Sequence, residues 1–306
     1  MRVVFAGTPA VAIPGLDALV ASEHEIAAVI TRPDAPVGRK RVLTPSPVAA
    51  HAHALGLPVV RAARSDDELT AAVAAMQPDL GVVIAYGALL RAPLLTVPRL
   101  GWINLHFSLL PRWRGAAPVQ RAVIAGDAMT GASVFQLEIG MDTGPVFASI
   151  ERAIAPDDTA GSLLDALAED GAQLLREVVD ALAGGTAIGT AQTGEPTLAP
   201  KLTLADAAID PTETLDRVSS RVRGTTPEPG PYVIVGGDRL KLLDTRPVDE
   251  PAPAATISER EGRILLGVAD GALELLAVHP AGKKPMAAAD WWRGVSAESL
   301  VVEAPA

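Results

Sequence analysis

The chain of 306 residues has no cysteine, and only 3% of it is aromatic. The first absence excludes disulfides, a cysteine nucleophile and every thiolate metal site. The second leaves Ala, Val and Leu to fill the interior, for which an apolar fraction of 49% is ample. No run of about eighteen apolar residues occurs, so no segment reads as a membrane span. Met1-Arg2 leads straight into Val3-Val4-Phe5-Ala6, which reads as a buried strand. A cleavable signal would show a basic start, a longer apolar stretch and a small-residue site. A cytoplasmic protein is the expectation. Positive charge is scarce too. The net charge is −10, and its negative balance is shared evenly between the parts before and after Thr203. Neither part is a basic domain that grips phosphates over its whole surface, so any nucleic-acid contact must come from local clusters.

What is present alternates. The length allows two domains. Strands are predicted over residues 2–6, 25–31, 59–60, 80–85 and 102–106, and helices over 9–20, 47–55, 67–76 and 118–124. Thr8 is placed as N-cap of the first helix with Pro9 at its first position, and Ser46 as cap of the second. Residues 32–44 read as a Pro/Gly/basic loop. Residues 132–137 and 145–154 read as a late strand pair around a turn at Asp142. The stretch 159–183 has the length and Leu/Ala spacing of an amphipathic helix. Such alternation implies an α/β, Rossmann-like domain, a mostly parallel sheet with helices on both faces. Gly184-Gly185 and 193–203 read as a linker. A helix over 210–223, capped by Asp210, precedes five short strand candidates at 232–235, 240–245, 255–258, 264–268 and 273–278. Strands so spaced suit a small OB-like β-barrel. The expected layout is a first domain over 1–189, a linker over 190–209 and an OB-like domain over 210–306, with a loose tail from 299 onward.

Most of the chemistry sits in Asn104-Leu105-His106-Phe107-Ser108-Leu109-Leu110-Pro111-Arg112-Trp113-Arg114-Gly115. In a strand, period two aims Asn104 and His106 at one face. Two hydrogen-bonding groups side by side at a strand end can polarise a carbonyl and stabilise the oxyanion formed when it is attacked. The stretch after them is too irregular for a strand and too Pro/Gly-bounded for a long helix, which fits a loop lining a pocket. Gly140-Met141-Asp142-Thr143-Gly144 supplies a carboxylate in a glycine-bracketed turn. An isolated Asn and His are ordinarily structural; their placement at a strand end, the loop and Asp142 reverse that. Other features carry less. Gly7-Thr8-Pro9 lacks the remaining glycines of a dinucleotide fingerprint and reads as an ordinary turn. His51 and His53 are two apart in a helix and point to different faces, so no metal site is expected. His279 is expected to anchor a turn.

Together these residues resemble the folate-dependent formyltransferase family, in which an Asn-x-His pair, a Ser-Leu-Leu-Pro loop and a later Asp surround 10-formyltetrahydrofolate. His279-Pro280-Ala281-Gly282-Lys283-Lys284-Pro285-Met286 resembles the terminal-domain signature of its tRNA-directed members. So do the loop from Arg32-Pro33-Asp34 to Ser46-Pro47 and the linker at Lys201-Leu202. The resemblance implies transfer of the formyl group of 10-formyltetrahydrofolate to the α-amino group of methionyl initiator tRNA. It makes Asn104, His106 and Asp142 catalytic. It gives the folate pocket Ser108, Leu109, Leu110 and Pro111, with Ile84, Tyr86 and Gly87 on another wall. It gives tRNA contact to Arg39, Lys40, Arg41, Lys201, Lys283 and Lys284, with 210–306 as the tRNA-binding domain. No metal, membrane or DNA is expected, and the chain is expected to be a monomer. Two departures from the family stand out: a slightly shorter basic loop, and Arg223-Gly224-Thr225-Thr226-Pro227-Glu228-Pro229 where aromatic residues are expected. Three alternatives stay open. A sister enzyme acting on a small amine (a purine precursor or an amino sugar) or a hydrolase using water would share the polar trio, and a non-catalytic RNA-binding protein would need it only for structure.

Overall fold

Strands that are apolar along their whole length must be covered on both sides, and β1 (Arg2–Gly7), buried from Val3 onward, is such a strand. The computed structural model describes residues 1–38 and 40–304. They divide into two compact units, one of Met1–Pro118, Met129–Ala153 and Leu164–Ala199, the other of Val119–Ala128, Ile154–Leu163 and Pro200–Ala306. After β1 come α1 (Ile13–Val20), β2 (Glu25–Thr31), β3 (Ala35–Val37), β4 (Val42–Thr44), α2 (Pro47–Ala54) and β5 (Val59–Arg61). Then follow α3 (Asp67–Ala75), β6 (Leu80–Ile84), α4 (Ala92–Leu95), β7 (Trp102–His106), β8 (Arg114–Gly115) and α5 (Pro118–Ala125). The elements β9 (Met129–Gln136), β10 (Val146–Ala153), α6 (Ala160–Ala183) and β11 (Leu198–Ala199) complete this part of the chain.

The first unit's main sheet has the order β10-β9-β7-β6-β1-β2-β5. The five strands from β7 to β5 pair in parallel, and at the other edge β9 runs against them, paired antiparallel with both β7 and β10. Helices cover both faces. On one, Val4, Ala6, Val83 and Trp102 pack with Leu69 and Val73 of α3 and Leu94 of α4. On the other, Gly15 of α1 and Gly171 of α6 lie so close that a Cβ on either would press on Ile84 or Leu105. The α/β expectation is met, with local corrections. Thr8 does not cap a helix; its hydroxyl donates to the Tyr86 carbonyl at 2.7 Å, and a 3-10 turn at Ala10–Ala12 precedes α1. Ser46 does cap α2, accepting from the Ala49 amide at 3.0 Å. Residues expected as a loop form the hairpin β3-β4, in which Pro36 lies opposite Leu43. A short, exposed two-stranded ribbon tolerates a proline that a central strand would not.

In the second unit α7 (Leu215–Gly224) leads into β12 (Tyr232–Val235), β13 (Asp238–Val248), β14 (Thr256–Arg260), β15 (Arg263–Gly267), β16 (Ala272–Pro280), β17 (Met286–Ala287), α8 (Ala288–Trp292) and β18 (Ser299–Glu303). The strand order is β13-β12-β18-β14-β15-β16-β17, and β13 also pairs with β16, which closes an OB-like antiparallel barrel. Val233, Leu242, Ile257, Leu266, Leu273 and Val278 belong to its core. Two expectations fail here. Asp210 does not cap the helix; its carboxylate accepts from the Thr212 amide and hydroxyl at 2.9 and 2.7 Å, forming a turn well before α7. Residues 299–303 of the expected tail are not loose either. Ser299–Glu303 is the strand between β12 and β14, and Val302 is buried. It supplies backbone partners to two strand edges that would otherwise stay unpaired.

Candidate active site

The parallel strands β6 and β7 end side by side, with Val83 in register with Asn104. In open α/β sheets the crevice for ligands lies beyond such carboxyl ends. Alternation along β7 sends Trp102, Asn104 and His106 to one face and Ile103 and Leu105 to the other. His106 is only 5% exposed, and its ring meets that of Phe135 edge to face at 6.2 Å. Its Nε2 donates to the Trp113 carbonyl at 2.9 Å. A carbonyl only accepts, so Nε2 carries the proton and the neutral ring keeps its lone pair on Nδ1. Burial pushes the imidazole below its ordinary 6.5, against the opposing pull of Asp142 and of the bond to Trp113.

Asp142 sits in a left-handed turn, at φ +51°. Its Oδ2 lies 3.9 Å from His106 Nδ1 and accepts from the Gly115 amide at 2.7 Å. The imidazole lone pair and the carboxylate therefore look into one gap, which suits a group that donates to both, such as an amine. Asn104 Oδ1 is buried without a hydrogen-bond partner. Leaving such an atom unpaired costs about 1–3 kcal/mol, and an orphan of this kind in a native interior points to a functional role. A half-turn of the amide presents its NH2 edge at almost the same position.

The loop after β7 is held by serines. Ser108, fully buried, donates to the Arg112 carbonyl at 2.6 Å, and Ser133 of β9 donates to the Ser108 carbonyl at 2.7 Å. The Ser108 hydroxyl thus shapes the loop. Leu109, Leu110 and Pro111 are half-buried, with Leu109 against Gly131. At and beyond the end of β6, Ile84 and Tyr86 are buried, and the Tyr86 hydroxyl donates to the Ala62 carbonyl at 3.0 Å. Their side chains are committed to the interior. Gly87, at φ +82° with open space where a Cβ would stand, offers bare backbone instead.

Sequence reasoning missed the residues that brace the loop. The amides of Trp113 and Arg114 donate to the Thr197 hydroxyl and carbonyl, each at 2.8 Å. β8 pairs with β11, and a Cβ on Gly115 would lie 2.8 Å from the Ala199 carbonyl oxygen. Gly115 is at φ +125°, a conformation open to glycine alone, so this residue did carry a signal. Thr197 carried none, because its partner is 84 positions away.

The predicted tRNA contacts lie on exposed turns. Lys40 and Arg41 stand at the tip of β3-β4, and Arg39 lies outside the described residues. Lys283 and Lys284 are exposed between β16 and β17, where His279 Nε2 donates to the Lys283 carbonyl at 2.8 Å. Lys201 is exposed just after β11. Among the described residues no cluster of three or more His, Asp or Glu side chains could hold a metal, and no helix is long and apolar enough to cross a membrane.

Known proteins resemble this one along nearly its whole length. Residues 1–179 match the formyl transferase family and residues 201–296 the formyl transferase C-terminal domain. The chain is 57% identical over 303 residues to methionyl-tRNA formyltransferase of Leifsonia xyli subsp. xyli (strain CTCB07), covering 98% of this chain and 100% of that one. It is 56% identical over 303 residues to the methionyl-tRNA formyltransferase of Clavibacter sepedonicus, covering 98% and 99%. The solved structure of HypX from Aquifex aeolicus in complex with tetrahydrofolic acid superposes with a TM-score of 0.67 at 16% identity. That match covers 95% of this chain and 47% of HypX, and it is a likeness of fold.

Proposed function

The chain belongs to the formyl transferase family, and from that premise we infer that it transfers the formyl group of 10-formyltetrahydrofolate to the α-amino group of methionyl initiator tRNA. The product is the N-formylmethionyl-tRNA that starts translation. The observation that carries this conclusion is the unpartnered Oδ1 of Asn104 on the same strand face as the neutral imidazole of His106. The relatives' names support tRNA as the acceptor.

The chemistry follows from the gap between His106 and Asp142. A free α-amine has a pKa of about 7.7–8.0, and the electron-withdrawing ester of a charged tRNA lowers it, so much of the nucleophile is already neutral. Its N–H groups point at His106 Nδ1 and Asp142, and its lone pair attacks the formyl carbon. The carbonyl electrons move to oxygen, and the Asn104 NH2 edge donates to the oxyanion. In a water-poor site one such donor is worth about 2.7–4 kcal/mol. The amine proton passes to His106, whose charged form Asp142 stabilises, and then to the folate nitrogen as the C–N bond to it breaks. No step requires a metal or a covalent enzyme intermediate.

Leu109, Leu110 and Pro111, with the backbone at Gly87, hold the folate, while Ser108 shapes the loop and Ile84 and Tyr86 support the opposite wall from within. Arg39, Lys40, Arg41, Lys201, Lys283 and Lys284 contact tRNA phosphates. Residues 1–189 act as the catalytic domain, 190–209 as linker and 210–306 as the tRNA-binding domain, in a monomer working in the cytoplasm without membrane or DNA. The test offers 10-formyltetrahydrofolate with methionyl initiator tRNA, with amino sugars or purine-precursor amines, or with water alone. Formylated tRNA should form fastest by far. A preference for a small amine, or hydrolysis without an acceptor, would contradict the assignment.

A further inference from the structure

We propose that Gln192, in the segment that follows α6 within the first unit, is a positioning residue for formyl transfer. Its side-chain amide fixes the Asp142 turn against Arg114 and so sets how the Asp142 carboxylate faces His106. The inference rests on the functional assignment above.

The amide is used completely. Nε2 donates to the carbonyls of Asp142 and Gly144, both at 2.8 Å. Oε1 accepts from Arg114 Nε at 3.1 Å and from Nη2 at 2.6 Å. Two N–H donors and two oxygen lone pairs are all that a glutamine amide has, and every one is spent between the turn and the loop. Each end of this clamp touches the reacting pair. On one side is the residue whose carboxylate faces His106. On the other is Arg114, whose neighbour Gly115 holds that carboxylate by its amide and whose other neighbour, Trp113, accepts from His106 Nε2. The turn needs holding, because Asp142 occupies a left-handed conformation that a non-glycine residue leaves readily when released. Carbonyls of 142 and 144 pinned by one amide fix the direction of the side chain between strand end and loop.

A purely structural role, tying down an exposed segment, would also explain a hydrogen-bonded glutamine. The two roles separate in Gln192→Glu. The carboxylate keeps its partnership with Arg114 but turns the donor into an acceptor facing two carbonyls, so only the Asp142 side is broken. Gln192→Met keeps the volume, removes both sides and suits a half-buried position should the charged variant fold poorly.

The experiment measures steady-state formylation of methionyl-tRNA by the full-length wild type and both variants from pH 5 to 9, with thermal melting alongside. A misplacement of about 1 Å can cost about 100-fold in rate. In each folded variant kcat should fall at least about tenfold, while the KM for 10-formyltetrahydrofolate stays near wild type. The acidic limb of the pH profile should move to lower pH, because Asp142, the charged group that the imidazole faces, no longer supports the protonated ring. If the wild type formylates tRNA and a folded variant keeps its kcat and acidic limb, the positioning role is wrong and the functional assignment stands. Loss of melting temperature with unchanged kcat and profile has the same meaning. If the wild type itself transfers no formyl group to tRNA, the assignment fails and this inference with it.

Discussion

His106 Nδ1 and Asp142 Oδ2 face each other across 3.9 Å without a hydrogen bond, each residue being held from elsewhere. The Trp113 carbonyl accepts from the imidazole Nε2 at 2.9 Å, and the Gly115 amide donates to the carboxylate at 2.7 Å. A directly bonded base and orienting carboxylate sit at about 2.6–3.2 Å. Here two acceptors share an opening in which a donor fits.

Asp142→Asn should keep the turn, since an amide oxygen can still accept from Gly115, and should lose most of its activity. The amide can neither take a proton nor stabilise a charged imidazole. Asp142 raises the His106 pKa, so removing its charge should also carry the acidic limb of the rate profile to lower pH. Measured kcat and pH dependence equal to wild type would reduce Asp142 to a turn-forming residue.

Stability should depend on His106 in a definite direction. Its folded pKa lies below the ordinary 6.5, so near and below 6.5 the unfolded chain binds a proton that the folded chain resists. The contribution is fully present above the unfolded pKa and is lost as pH falls towards the depressed folded value. Urea unfolding at pH 7.5 and pH 5.5 should show a larger loss for wild type than for His106→Gln. Equal losses would mean that the ring is not buried neutral.

Replacing Arg39, Lys40 and Arg41 by alanine should weaken tRNA binding and leave folate binding unchanged, and Lys283→Ala with Lys284→Ala should act likewise. A chain at −10 must concentrate its attraction for phosphate in a few patches. Each lost phosphate contact should lower the salt slope of tRNA binding by about one unit. Titration across a salt series checks it; unchanged affinity and slope would make these turns ordinary solvated structure.

Val302→Asp should destabilise the barrel by about 3 kcal/mol or more, because it places an unpaired carboxylate in an apolar interior. Val302 is 3% exposed and lies in the strand that joins β12 to β14. Differential scanning calorimetry reads the effect. An unchanged melting profile would mean that the strand is dispensable.

The parts of this molecule legible in the sequence are those written in local spacing. Asn104 and His106 share a face because they are two apart in a strand, and the α/β alternation follows from segment lengths and apolar runs. What was not legible depends on partners far along the chain. Thr197 and Gln192 meet residues 78 to 84 positions earlier, and no periodicity records that. The resemblance gives Tyr86 to a pocket wall, yet its ring is drawn into the core with α3 and α4. Ser299–Glu303 is a strand because it bridges the edges of β12 and β14, and no local spacing records those pairings.

The most direct measurement is single-turnover formyl transfer from 10-formyltetrahydrofolate to methionyl initiator tRNA by wild type and Asn104→Ala, with folate binding measured on the same preparations. Loss of one oxyanion donor should slow transfer roughly a hundredfold to a thousandfold, or about 2.7–4 kcal/mol, while folate binding and melting temperature stay close to wild type. A variant that transfers formyl at more than about a third of the wild-type rate would lack that penalty, and the Asn104 amide would then have no part in the chemistry.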